Sequence, residues 1–247
     1  MIKRIIVYTL LSFIFGLLFY FLTNKFLLSL LVFLIYCAFF FVFYEIKYRN
    51  YRVTIRKTRE CIQFINNFII TLSVNNSIVT TFNVLSTSFS KELKEQVNSI
   101  NHLNDEEKII YLKNYFNSSL YSVFVDLLKQ FIEDGGNIIN NTHLLIFDTR
   151  LIEENLNDFL VISNKKLFQF GLMWGLCFII LLITKVALGN YYLKIQLMNY
   201  YPYSLFLFFI LFLVFLYFIL RHYLDLNFIN EELKDEKNKK QNWISWL

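Results

Sequence analysis

Apolar residues in this chain gather into four runs, Ile5–Leu22, Phe26–Tyr44, Leu167–Thr184 and Ser204–Leu220. Between the second and third lies a polar stretch, Glu45 to Lys166, with no run of comparable length. Each run is close to the roughly 20 residues that carry a helix across a hydrocarbon core of about 30 Å. The pattern predicts four membrane-spanning helices, two before and two after one internal polar domain. Lys3 and Arg4 ahead of the first run also suit a signal peptide, but no small-residue cleavage pattern follows and Phe26 opens another full-length run at once. A retained span is expected, joined to the second by a tight turn at Asn24–Lys25.

Inside the polar stretch the apolar positions recur at three and four, the spacing of one helix face. From Thr58 onward Ile62, Ile65, Phe68, Ile69 and Leu72 form such a face, which Asn75–Asn76 interrupts. Asparagine tolerates the left-handed conformation that ends helices. A second helix is expected through Ile78, Phe82, Leu85 and Phe89, and a short third through Leu93, Val97 and Ile100. Asn104 followed by Glu107 has the form of a capping box opening a helix over Asp105–Phe116. The next stripe, Leu120, Phe124, Leu127, Leu128 and Phe131, stops at Gly135–Gly136, and a long helix from Ile138 runs on into the third span. The expected fold is all-α: four transmembrane helices with one internal cytoplasmic helical bundle of about six helices. The expected segments are an N-terminal transmembrane hairpin (1–46), a helical domain (47–166), a transmembrane pair (167–220) and a tail (221–247).

Charge sets the expected orientation, because Lys and Arg collect on the cytoplasmic side of short loops. Lys3 and Arg4 precede the first span; Lys47, Arg49, Arg52, Arg56, Lys57 and Arg59 follow the second; Lys165 and Lys166 precede the third; Arg221 follows the fourth. The opposite side carries little, Lys25 in the hairpin turn and Lys194 in the 188–203 segment. All four spans agree on cytoplasmic termini and a cytoplasmic domain in the plasma (inner) membrane. The cluster Lys47 to Arg59 then sits at the membrane surface, where each basic residue gains about 1 kcal/mol from anionic lipid.

The formal net charge of +5 is unevenly spread. Cys61 to Lys166 holds eight Lys or Arg against twelve Asp or Glu, so the domain is mildly acidic and lacks the basic face of a nucleic-acid binder. Cys37, Cys61 and Cys177 are divided between spans and domain, which offers no disulfide, and His102, His143 and His222 lack ligand-spaced companions. No metal or cofactor is expected. No GxxxxGK[ST], GxGxxG or GxSxG occurs, so neither a phosphate cradle nor a serine nucleophile elbow is present. The span interiors hold almost no ionisable residue of the kind that marks a transport path. The pattern does not predict an enzyme. Abundant Phe, Tyr, Ile, Asn and Lys with scarce Pro and Gly suits an AT-rich bacterial genome.

Two stretches carry a family resemblance. Phe64-Ile-Asn-Asn-Phe-Ile-Ile-Thr-Leu-Ser-Val-Asn-Asn-Ser-Ile-Val-Thr-Thr-Phe82 resembles the helix, turn, helix opening of the TadB-like platform proteins of Tad/Flp pilus machines, within the type II secretion system F-protein family. The segment from Leu127 through Glu133, Asp134, Gly135 and Gly136 to Ile139 is similar to that family's acidic Gly-Gly turn before its last helix. The layout of spans and domain matches along nearly the whole chain. Asn75–Asn76 replaces the glycine usual in the first turn, and the single helical domain departs from the duplicated form of the secretion F protein itself.

The resemblance implies a non-enzymatic scaffold. Its partners would be a cytoplasmic secretion or pilus ATPase, a second, TadC-like platform protein, pilin subunits and membrane lipids, in a homo- or hetero-oligomer without nucleic acid. Glu133, Asp134, Gly135, Gly136, Asn75 and Asn76 would shape partner-binding corners of the domain. Competing with it are a membrane-tethered helical interaction or signalling protein unrelated to a pilus, and a transporter or channel subunit.

Overall fold

The computed structural model describes residues 2–75, 77–134 and 138–225. Among these residues the chain is entirely helical apart from short connections. The described residues include four helices long and apolar enough to cross a membrane. The chain divides into two compact units, one made of Met1–Tyr51 with Leu160–Asp225, the other of Arg52–Phe159.

In the first unit, helix α1 (Ile2–Thr23) turns through Asn24, at φ +53°, into α2 (Phe26–Ala38). A helix bonded i to i+5, a π segment, follows at Phe39–Tyr44; the Glu45 N–H donates to the Phe40 carbonyl. The helix then continues as α3 (Glu45–Asn75). α1 and α2 pack closely because Gly16 presents no side chain. A Cβ built there would lie 3.1 Å from Phe33 Cβ, and Ser29 Oγ donates to the Gly16 carbonyl at 2.7 Å. Small residues of this kind let apolar helices approach where water cannot drive them together.

Leu160 onward belongs to α8 (Ile138–Leu188), followed by the short α9 (Asn190–Gln196) and by α10 (Tyr201–Tyr223). Phe19, Tyr36, Trp174, Phe178, Phe209 and Phe212 interlock as this unit's core. Tyr36 Oη finds the Phe209 carbonyl at 3.0 Å, so its polar tip is satisfied inside an apolar setting. Ser12 and Thr23 donate to carbonyls one turn earlier in α1, which hides their hydroxyls from the surrounding apolar side chains.

The second unit holds α3 from Arg52, α4 (Ile78–Ser86), α5 (Lys91–Ser99), α6 (Asp105–Phe116), α7 (Ser119–Asp134) and α8 up to Phe159. The expected helix starts recur here with a chemical reason at each. Ser77 and Ser90 cap α4 and α5 by accepting from the N–H of Thr80 and Leu93. Asn104 and Glu107 form the reciprocal capping box of α6. α6 ends on Asn117 at φ +44°, whose N–H donates to the Lys113 carbonyl. Phe64 lies among the rings of Phe68, Phe89, Phe116, Tyr121 and Phe124, with centroids 5.8–6.1 Å away.

Three boundaries differ from the sequence expectation. The helix expected through Phe89 ends at Ser86, and Phe89 lies in the connection to α5. The helix expected from Thr58 has no start there, since α3 runs unbroken from Glu45. Residues 45–57 are charged on several sides, so no apolar stripe marks them, and helicity is carried on from the span before. The segment 188–203, expected as a loop, contains α9, with Gly189 at φ +47° ahead of it.

Candidate functional site

The six basic residues expected at a membrane surface lie along α3, and several meet acceptors of the protein itself. Lys47 is 3.7 Å from Asp225 in the first unit. In the second unit Arg56 pairs with Glu92 at 2.6 Å and Arg59 donates to Asn157 Oδ1 at 3.2 Å. Lys57 donates to the Tyr115 carbonyl at 3.1 Å and lies 4.6 Å from that ring's centre. Tyr115 Oη in turn donates to Glu60 at 2.9 Å. Burial first, and the Glu60 carboxylate second, hold the Tyr115 hydroxyl above its ordinary pKa. Arg49 and Arg52 are exposed. The cluster therefore ties α3 to α5, α6 and α8 as well as offering charge to solvent.

The expected partner-binding residues fall at helix ends. Asn75, exposed, closes α3; Glu133, exposed, and Asp134 close α7. Asn76, Gly135 and Gly136 lie outside the described residues. Within α3, Cys61 is buried and its thiol is pushed up to about 12 by burial, with a hydrogen bond to Ser118 acting the other way. No cluster of three metal-ligating side chains occurs among the described residues.

Two polar clusters in the first unit were hidden by the apolar sequence around them. At one end of α1, Tyr8 Oη donates to Glu45 at 2.6 Å and Arg4 to the same carboxylate at 3.2 Å. At the other end, Gln196 is buried and reaches across from α9: its amide nitrogen donates to the Leu22 carbonyl at 2.6 Å, and its oxygen accepts from Asn24 at 3.3 Å. Tyr192 donates to the same Leu22 carbonyl at 3.2 Å and bonds Tyr201, and Lys185 donates to the Phe21 carbonyl. These groups satisfy the carbonyls that the C-terminus of α1 leaves without helical partners. Beside them opens a cleft of about 410 Å³ between the α1–α2 turn and the 196–203 segment. The chain positions involved are some 170 residues apart, so only the fold brings them together.

No protein-family model matches the chain, and neither a curated protein nor a solved structure matches it.

Proposed function

We propose that this chain is a non-enzymatic platform protein of the inner membrane, working in a machine that assembles a pilus or secretes protein. The observation that carries the reading is the layout: a pair of apolar helices, an all-helical unit over Arg52–Phe159, then another pair. α3 and α8 each contribute residues to both units, so the chain passes between the helical unit and the apolar helices at two places. The resemblance of 64–82 and 127–139 to TadB-like proteins adds the identity of the partners: a cytoplasmic ATPase, a second platform protein and pilin subunits. In this reading both termini and the helical unit face the cytoplasm, the mildly acidic unit is the surface a motor engages, and the four apolar helices contact the subunits being extracted.

The test is recovery of the tagged chain from its native membrane in gentle detergent, with co-purifying proteins identified by mass spectrometry. Recovery of a secretion-type ATPase together with a second four-span protein supports the platform. A crosslinked preparation lacking both overturns it and leaves a membrane-tethered interaction protein.

A further inference from the structure

The cleft beside the α1–α2 turn is amphiphilic. Its lining is mixed: Asn24, Lys25, Gln196 and Asn199 supply polar groups, and Leu27, Leu197, Met198 and Pro202 supply apolar ones. Leu197 and Met198 are 83% and 59% exposed, which is costly for side chains facing water but not for side chains facing an acyl chain. Lys25 is the cleft's cationic lining residue, and it is exposed. Lys185, the other cation at this end of α1, is spent on the Phe21 carbonyl. Gln196 is held on both sides of its amide by Leu22 and Asn24, so these two polar residues of the lining are fixed in place rather than assembled on binding.

The depth of the cleft follows from what surrounds it. It lies where α1 ends, where α2 begins and where α10 begins, at the limit of three apolar helices. Tyr191, Tyr200 and Tyr203 are each more than 60% exposed around the same end. Exposed tyrosines at the limits of apolar helices mark the level of lipid headgroups. A cleft of about 410 Å³ is within the range that holds a small organic group.

From these features together we infer that the cleft is a binding site for an anionic phospholipid: the phosphodiester lies against Lys25 and the amides of Asn24 and Asn199, and the first part of an acyl chain lies along Leu197 and Met198. The start of α2 is compatible with this, since no side chain caps it and its partial positive end adjoins Lys25. The inference rests on the chain being embedded in a membrane and is independent of the platform reading.

The experiment is native mass spectrometry of the full chain in detergent, titrated with dioleoyl-phosphatidylglycerol, with dioleoyl-phosphatidylcholine and with the soluble headgroup glycerophosphoglycerol. The site requires a preference for phosphatidylglycerol over phosphatidylcholine. An exposed cation paired with an anionic headgroup is worth up to about 1 kcal/mol, about fivefold in affinity, so Lys25→Gln must lower the phosphatidylglycerol affinity by up to that factor. Met198→Glu must lower it too, whereas Lys194→Gln, a cation of α9 that does not line the cleft, must leave it unchanged. Because Lys25 and Met198 are exposed, neither change disturbs the core. Equal affinities for Lys25→Gln and the unchanged protein overturn the site. Full competition by glycerophosphoglycerol at equal concentration overturns the acyl-chain half and reassigns the cleft to soluble phosphodiesters.

Discussion

Phe64 offers the sharpest test of how the helical unit is held together. Its side chain is 4% exposed and stands among five other aromatic rings from α3, the α4–α5 connection, α6 and α7. Truncation to alanine removes the transfer energy of the ring, leaves a cavity and forfeits several edge and tilted ring contacts, about 3–5 kcal/mol in all. Cys61, one turn earlier on α3, supplies the assay inside the intact chain. It is 1% exposed, and with its thiol pushed up to about 12, only on the order of one in ten thousand is ionised at pH 8. Alkylation of Cys61, in a background where Cys37 and Cys177 are alanine, therefore reports opening of the unit. When closing outpaces alkylation, the loss for Phe64→Ala converts to labelling about 150- to 4,000-fold faster. Phe64→Leu keeps most of the volume and is expected to stay within about tenfold. An alanine variant that labels less than tenfold faster would refute the claim that this ring centres the unit's stability.

Burial also raises the hydroxyl of Tyr121 well above its ordinary range, as it raises the Cys61 thiol. Both groups lose their protons first in the unfolded chain, so their contribution to stability is complete below about pH 8.5 and is lost as pH rises toward 12; thermal melts followed by fluorescence should fall over that window, and less steeply in Cys61→Ala. Gly16→Leu forces atoms beyond the Cβ into the 3.1 Å approach to Phe33 and is expected to cost about 1–3 kcal/mol; the temperature of half-aggregation in detergent should drop by several degrees, while Gly16→Ala, which adds only the Cβ at that approach, should fall between Gly16→Leu and the parent. Asn104→Ala removes half of the capping box and should cost about 1 kcal/mol; faster hydrogen exchange confined to the first turn of α6 is the signature, and unchanged exchange there counts against the cap.

Much of the helical order was legible in the sequence because its cues are local. Asn104 with Glu107, and the three–four spacing of Ile62, Ile65, Phe68, Ile69 and Leu72, act within a single turn or one helix face. α9 was not legible because seven residues give too short a window for a period. The start of α3 was not legible because a helix propagated from a preceding span needs no cap of its own. The polar clusters were illegible for a different reason. Gln196 meets Leu22 and Asn24 across a separation of about 170 residues, and Tyr8 meets Glu45 across 37; nothing in either local sequence indicates the partner. The basic residues after the second span show a limit of the same kind: their number indicates a surface, but only the fold pairs Arg56 with Glu92 and Lys57 with Tyr115.

The π segment at Phe39–Tyr44 changes how this chain tolerates gain or loss of residues. A wide turn of this kind is an α-helix carrying about one surplus residue. Every side chain just beyond it is rotated by about 100° from where an unbroken α-helix would place it. Deleting one residue within 39–44 lets the turn relax to α geometry while the helix on either side keeps its phase. The same deletion a few turns later, among residues 55–60, turns Cys61, Phe64 and Phe68 by about 100° relative to the residues of α3 before the cut, so the contacts of Arg56 with Glu92 and of Lys57 with Tyr115 lose register with the aromatic face. A single-codon deletion scan along this helix should therefore find one narrow permissive window, and that window should coincide with the run of aromatic residues rather than with its charged, solvent-exposed stretch.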